Sequence, residues 1–309
     1  MQGAMYYLIV IALGMMVPVQ TAANGRLRGR VQSAWVATLI SFAVSSCVLA
    51  GASAIVGMPL WPTPAQVGAA PWWSWGGGLI ALLTITAYMY LFRELGMLQA
   101  TILPIVGQLM FSLVIDHFGL FHTAQIAFTP LRALAALLLI SGAALAIMRQ
   151  GQRREVVCAY TPRIAAWQAL GVGCGCLLAT MGAIYGSLGQ ALGSATQASA
   201  CSFAIATASM LLCCTVTGQV GAVLRAFNRQ DPWWMWLGGI VGAVSVCGTA
   251  WLLPQLGAGV FFMLLLIGQI AQGLCMEWRG WLGAVRRRIS AAQIAGVLLM
   301  VAGILIIKL

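Results

Sequence analysis

The sequence predicts an all-α membrane protein of ten transmembrane helices, built as two inverted repeats of five helices each. Three observations support this prediction. The 309-residue chain is 61% hydrophobic and only 7% charged, with a mean hydropathy of +0.96. It contains ten apolar runs of about 20 residues, the length at which a helix crosses the bilayer core. Its two halves also match one another at a fixed offset of 161 residues, without a gap.

The repeat is carried by short motifs that recur in the same order. Pro71-Trp72-Trp73 returns as Pro232-Trp233-Trp234, Gly107-Gln108 as Gly268-Gln269, and Ser41-Phe42 as Ser202-Phe203. A duplicated hydrophobic unit is typical of secondary transporters, in which the two copies enclose one central site. We therefore divide the chain into a first five-helix repeat (1–148), a cytoplasmic linker (149–163) and a second five-helix repeat (164–309).

The composition excludes several functional classes. A surface with so few charges cannot face water, because soluble domains carry roughly 25% charged residues. The net charge of +11 comes from arginines in short loops beside apolar runs, so we expect contact with the lipid bilayer and no nucleic-acid binding. Almost all nine cysteines lie in apolar stretches, and no metal-site spacing occurs. No nucleotide-binding, protease or hydrolase motif is present, so we expect no enzyme activity, no cofactor and no metal.

The ten predicted spans fall at equivalent places in the two halves. Those of the first half cover residues 5–23, 33–56, 73–92, 97–115 and 129–148, and those of the second half cover 164–184, 194–217, 233–252, 257–276 and 290–308.

The arginines predict the orientation of these spans. With ten spans, fourteen of the sixteen basic residues lie on one side of the membrane, and only Arg132 and Lys308 lie on the other. The positive-inside rule makes the basic side cytoplasmic, which places both termini outside the cytoplasm. Because each repeat has an odd number of spans, the two repeats cross the membrane in opposite directions. The tryptophans of the repeated motif fit interfacial anchors.

Polar residues inside apolar spans are the candidate site, because lipid does not solvate them. Gln108 and Gln269 occupy equivalent positions near the middle of spans four and nine, each directly after a glycine. Pro104, Gln108, Ser112 and Asp116 recur every four residues and form one polar stripe. Gln269, Gly273 and Glu277 repeat it, with Gln272 one turn from Gln269. We expect the glutamines to face a solute; the alternative is that they only join neighbouring helices.

Span one adds a second polar group. Pro18 leaves the carbonyl of Gly14 without its helical donor, so we expect a kink there. Gln20 and Asn24 follow on one face of the helix, either as a cavity wall or as a polar pair at the helix end. The second half replaces this group with Thr180, Met181 and Tyr185, so the predicted solute site is asymmetric. We expect Tyr185 and Gln272 to add contacts to the solute from the second half.

Asp116 and Glu277 are equivalent acids at opposite ends of the predicted spans. Arg132 and His117 are the expected partners of Asp116, and Arg279 that of Glu277. The two acids and Arg132 are predicted to act in gating or coupling, or else to be interfacial charges that meet water. No carboxylate lies near the predicted midplane, which argues against exchange of a central proton for a cationic solute.

These residues resemble a known family. Gly14, Pro18, Gln20, Asn24, Ser41-Phe42, Gly107-Gln108 and Asp116–Gly119 are similar to the motifs of the YdcZ-like group of the drug/metabolite transporter superfamily, in its fused two-repeat form. The resemblance covers nearly the whole chain. It implies a ten-span carrier in the bacterial inner membrane, with spans one to four and six to nine around a cavity and spans five and ten peripheral.

The sequence therefore predicts a secondary transporter, more specifically an exporter, of a small polar or amphipathic metabolite that works by alternating access. The alternative is a non-transporting membrane protein, either an assembly partner or a lipid-handling factor. A fused pair already contains both inverted halves, so the expected state is a monomer or a homodimer.

Overall fold

The computed structural model describes residues 2–57, 59–148, 162–226, 232–283, 286 and 289–307, which are almost wholly helical and contain no strand. In chain order they form α1 (Gln2–Val31), α2 (Ala34–Val56), α3 (Pro64–Ala69), α4 (Gly77–Phe118), α5 (Pro130–Met148), α6 (Pro162–Leu192), α7 (Ala195–Val216), α8 (Leu237–Leu256), α9 (Ala258–Arg279) and α10 (Ala291–Ile307). The predicted linker lies outside the described residues, apart from the two residues that begin α6.

Most of these helices have the length and composition of membrane spans. Seven segments are long and apolar enough to cross a bilayer, namely Gly3–Val31, Ala34–Ile55, Gln99–Phe118, Arg163–Leu192, Ala195–Val216, Trp233–Leu256 and Ala258–Arg279. Two shorter apolar helices cover Pro130–Ala146 and Ala291–Ile306. The prediction of an all-helical protein with several membrane-spanning helices is thereby confirmed.

α4 differs from the sequence prediction, because it joins spans three and four in one 42-residue helix. A straight helix of that length would be about 63 Å long at 1.5 Å per residue. Yet the ring of Trp73, just before α4, lies 5.4 Å from that of Phe121, just after it. α4 therefore doubles back on itself. Its first arm packs along α6 from Tyr185 to Trp167. Its second arm returns from Gln99, whose side-chain oxygen accepts a hydrogen bond from Nε2 of Gln168 at 3.1 Å.

α1 and α6 extend about two turns beyond their predicted ends, into the segment that carries Arg26, Arg28 and Arg30 in the first half. Both helices stop at equivalent residues with a positive φ, Gln32 (57°) and Gly193 (65°). The next helix then begins at a serine, because the hydroxyl of Ser33 or Ser194 accepts a backbone N–H at 3.3 Å. The predicted spans end where the apolar residues end. The helices continue past that point because arginine is a good helix former.

A pseudo-two-fold axis relates the two repeats. Residues that face their own counterpart, 161 positions away, lie on this axis. Ser46 Oγ is 3.4 Å from Thr207 Oγ1, and the rings of Phe42 and Phe203 meet edge to face at 5.7 Å. α2 and α7 thus pack against each other across the axis, and α5 and α10 also pack against each other.

Candidate functional site

Close helix contacts position the two predicted glutamines. A methyl group at Gly107 would lie 2.0 Å from the carbonyl oxygen of Val172, and one at Gly268 would lie 2.0 Å from that of Ile11. These contacts are related by the pseudo-two-fold axis, because both partners are 161 residues apart. The backbone of α4 therefore touches α6, and the backbone of α9 touches α1, directly beside the glutamines.

Gln108 and Gln269 are half-buried, and neither side chain forms a hydrogen bond within the described part of the chain. The same holds for Gln272. An amide carries two donors and an acceptor, so all three residues keep their hydrogen-bonding capacity for a ligand or for water. The structure places Gln108 and Gln269 at equivalent positions, and no direct contact joins the two side chains.

Gln20 and Asn24 lie against α8, on a face made of glycines. A methyl group at Gly242 would be 3.0 Å from Nε2 of Gln20, and one at Gly238 would be 2.1 Å from Oδ1 of Asn24. Because α8 has no side chain at these two positions, the amides of α1 reach its backbone. Oδ1 of Asn24 is buried and accepts no hydrogen bond from the described residues.

Three further groups at this wall were not predicted. Ser45 Oγ and the Phe203 ring would lie 3.1 and 3.7 Å from a methyl group at Gly242, and Ser245 Oγ on α8 is buried without a hydrogen-bond partner in the described chain. Ser45 donates to the carbonyl of Gly239 at 2.6 Å. Ser45 could have been found from the sequence, because it lies one helical turn after Ser41 of the repeated Ser41-Phe42 motif.

Tyr185 takes the pseudo-symmetric place of Asn24. Its ring packs on Gly77, where an added methyl group would lie 2.5 Å from the ring. Asn24 packs on Gly238 in the same way. With only 6% of its surface exposed, Tyr185 belongs to a hydrophobic cluster with Leu188 and Ala250. At these pseudo-symmetric positions, α1 therefore presents an amide and α6 an aromatic ring.

Asp116 and Arg132, two of the predicted gating residues, are brought together. The fully buried carboxylate accepts the backbone N–H groups of Ala258 at 2.7 Å and Gly259 at 2.9 Å, and Arg132 Nη1 lies 3.3 Å from Oδ2. His117, the other expected partner, instead accepts the N–H of Phe128 through Nδ1. The two backbone donors belong to the first turn of α9 and have no side-chain signature in the sequence.

Glu277 is half-buried near the end of α9, 161 residues after Asp116. The neighbouring Arg279 lies over the rings of Trp278 and Trp281, with its guanidinium carbon 5.5 and 4.6 Å from the ring centres. The two equivalent acids therefore have different surroundings. Within the described residues no group of three or more histidine, cysteine or acidic side chains could hold a metal ion.

Comparison with known proteins identifies the family of this chain and a solved structure with the same fold. The family described as "Putative inner membrane exporter, YdcZ" matches residues 5–145 and again residues 166–306, which confirms the resemblance and the duplication. One solved crystal structure has the same fold, with a TM-score of 0.69 at 14% sequence identity over 98% of this chain and 95% of the other. No curated protein matches the sequence.

Proposed function

Since this chain belongs to the YdcZ family of inner membrane exporters, we propose that it is a secondary transporter that exports a small polar or amphipathic metabolite by alternating access. The observation that carries the proposal is the set of uncommitted amides at the interface of two pseudo-symmetric repeats. Gln20, Asn24, Gln108, Gln269 and Gln272 all lack hydrogen-bond partners among the described residues.

The chemistry of this wall defines the class of solute. Amides and hydroxyls both donate and accept hydrogen bonds, so they suit a polar solute that does the same. Phe203 and Tyr185 are buried, at 5% and 6% exposure, and back this wall with apolar side chains. Because Asn24 has an aromatic counterpart in Tyr185, we propose that the solute is held off-centre, closer to α1 and α8 than to the equivalent wall of α6.

We propose ten membrane crossings with both termini outside the cytoplasm. The seven long segments, the two shorter helices α5 and α10, and the first arm of α4 supply the ten. The positive-inside rule supports this orientation.

Cysteine labelling tests the orientation. In a cysteine-free variant, we expect Arg28→Cys and Arg286→Cys to react with a membrane-impermeant maleimide only after permeabilisation, because both exposed positions are on the proposed cytoplasmic side. Gly68→Cys, exposed on α3, is the matched outer control and should react in intact spheroplasts. Labelling of residues 28 and 286 from different faces would contradict the inverted topology.

A lipid-handling role is the second candidate, and one observation favours it. A cavity of about 390 Å³ opens between α3, the turn before α4, and α7. Its lining is apolar and includes Trp61, Val67, Trp75, Cys201 and Ile205, which suits an acyl chain better than a polar metabolite.

Flux in proteoliposomes separates the two roles. The transporter proposal expects release of at least one class of polar metabolite from loaded vesicles, with and without an imposed pH gradient, and no release from protein-free vesicles. Fluorescent phospholipid movement between leaflets is measured in the same vesicles. Lipid movement without flux of any solute in a broad metabolite panel would reject the transporter proposal in favour of lipid handling.

A further inference from the structure

The two ends of the molecule are not equally closed. Gly186 on α6 is buried, and a methyl group there would lie 3.0 Å from the ring of Pro254 on α8. Its pseudo-symmetric counterpart, Gly25 on α1, is exposed, and a methyl group there would meet nothing within 4 Å. Matched positions of one repeated unit therefore lie in a closed contact at one end and in an open space at the other.

The closed contact extends along α6 and α8. A methyl group at Gly189 would lie 2.8 Å from the carbonyl oxygen of Ala250, and one at Gly182 would lie 3.2 Å from the Leu253 side chain. The closed contact thus includes three glycines of α6 and the facing stretch of α8.

Asp116 ties the closed end together across the two repeats. Its carboxylate, on the last turn of α4, binds the first N–H groups of α9, while Arg132 of α5 supplies the positive charge. α9 begins directly after Gly257, the turn residue that follows α8. Leu253 and Pro254, which pack on α6, lie within four residues of that turn. The tie therefore fixes the corner of the second repeat that covers the closed contact.

The residue equivalent to Arg132 carries no charge in the second repeat. Gln293 stands 161 residues after Arg132, so the second repeat has an uncharged amide where the first has a guanidinium. Gln293 Oε1 accepts the backbone N–H of Ser290 at 2.8 Å, and the backbone N–H of Gln293 donates to the Ser290 hydroxyl at 3.3 Å. Gln293 thus takes part in the N-terminal cap of α10. Gln293 therefore cannot give Glu277 the positive charge that Arg132 gives Asp116.

We propose that Asp116, Arg132 and the first turn of α9 form a latch that holds the carrier closed at this end and open at the end of Gly25. The inference rests on the proposed function, from which the closed end is the outer one. Asp116 is a positioning residue, because it acts by holding the corner between α8 and α9. Charge-assisted hydrogen bonds to a fully buried carboxylate are strong, so their loss shifts the balance between the two conformations.

Two reporter cysteines test the latch without any solute. In the cysteine-free variant in nanodiscs, Ala250→Cys reports on the closed end, because Ala250 is 3% exposed. Gly25→Cys reports on the open end. We expect Asp116→Asn to raise the maleimide labelling rate at residue 250 by about tenfold and to lower that at residue 25, since loss of a charged hydrogen bond is worth a factor of this order. Arg132→Gln, which installs the residue of the second repeat, should act in the same direction.

Opposite changes at the two reporters are the result that supports the latch. A rise at both reporters would show that Asp116 only stabilises the fold, and unchanged rates would show that the contact does not control opening; either result overturns the proposal. Arg163→Gln is the matched control, because it breaks an exposed pair with Glu94 at 3.2 Å and should leave both rates unchanged. Labelling is independent of transport, so failure of the latch and failure of the transporter proposal remain distinguishable.

Discussion

Replacing Gly175 with alanine is expected to lower the unfolding temperature strongly and to reduce the yield of folded protein. The added methyl group would lie 2.0 Å from the carbonyl oxygen of Pro104 and 2.5 Å from the backbone nitrogen of Gln108. Both are backbone atoms and neither can rotate away, so α4 and α6 must separate. Overpacking of this kind costs about 1–3 kcal/mol. Thermal unfolding in detergent, followed by size-exclusion fluorescence, measures the effect.

Two matched substitutions test the reason for that loss. Gly173→Ala, on the same helix, meets nothing within 4 Å, so it should leave stability unchanged or raise it by up to about 1 kcal/mol through helix propensity. Gly14→Ala, the pseudo-symmetric counterpart, would place a methyl group 2.1 Å from the carbonyl oxygen of Leu265 and should be as damaging as Gly175→Ala. Equal stability of the alanine variants at 173 and 175 would contradict the close contact.

Replacing Gln108 and Gln269 together with leucine is expected to abolish transport and leave the protein folded. Leucine has a similar size but no donor or acceptor. Because neither amide bonds to a described residue, its removal leaves no protein group unsatisfied. A solute that loses a hydrogen bond at each position loses about 1 kcal/mol or more per contact, so flux at low solute concentration should fall at least tenfold.

Proteoliposome flux with the solute found in the panel measures this loss, and the unfolding temperature checks the fold. Gln255→Leu is the control, because Gln255 is exposed on α8 and only donates to the carbonyl of Trp251 at 3.1 Å; it should transport normally. Full transport by the double variant would remove Gln108 and Gln269 from the site and leave Gln20, Asn24 and Gln272 as the remaining amides.

The sequence was most informative where the fold depends on apolar length and on the internal repeat. It was least informative at local junctions. The second repeat breaks between α8 and α9 at Gly257, with φ at 80° after Pro254, whereas the first repeat has Arg93 at the position of Pro254 and doubles back within α4, before Gln99. The composition of these two junctions differs, but a hydropathy pattern does not register that difference.

The candidate site was predictable to a similar degree. Arg132 could be paired with Asp116 because both are charges near the same predicted membrane face. The N–H groups of Ala258 and Gly259 could not be found in this way, since backbone donors carry no residue-specific mark. The position of Asn24 against Gly238 likewise depends on how two helices cross, which residue types alone do not determine.

The contacts of Phe42 with Phe203 and of Ser46 with Thr207 bear on how this gene could have arisen. Before duplication and fusion, a half-length ancestor would have placed each of these residues against the same residue of a second copy. Selection there would have accepted only side chains compatible with themselves. Fusion removes that restriction, because each partner is then encoded by its own codon. The phenylalanine pair still matches, whereas serine and threonine show that the two codons have begun to evolve separately.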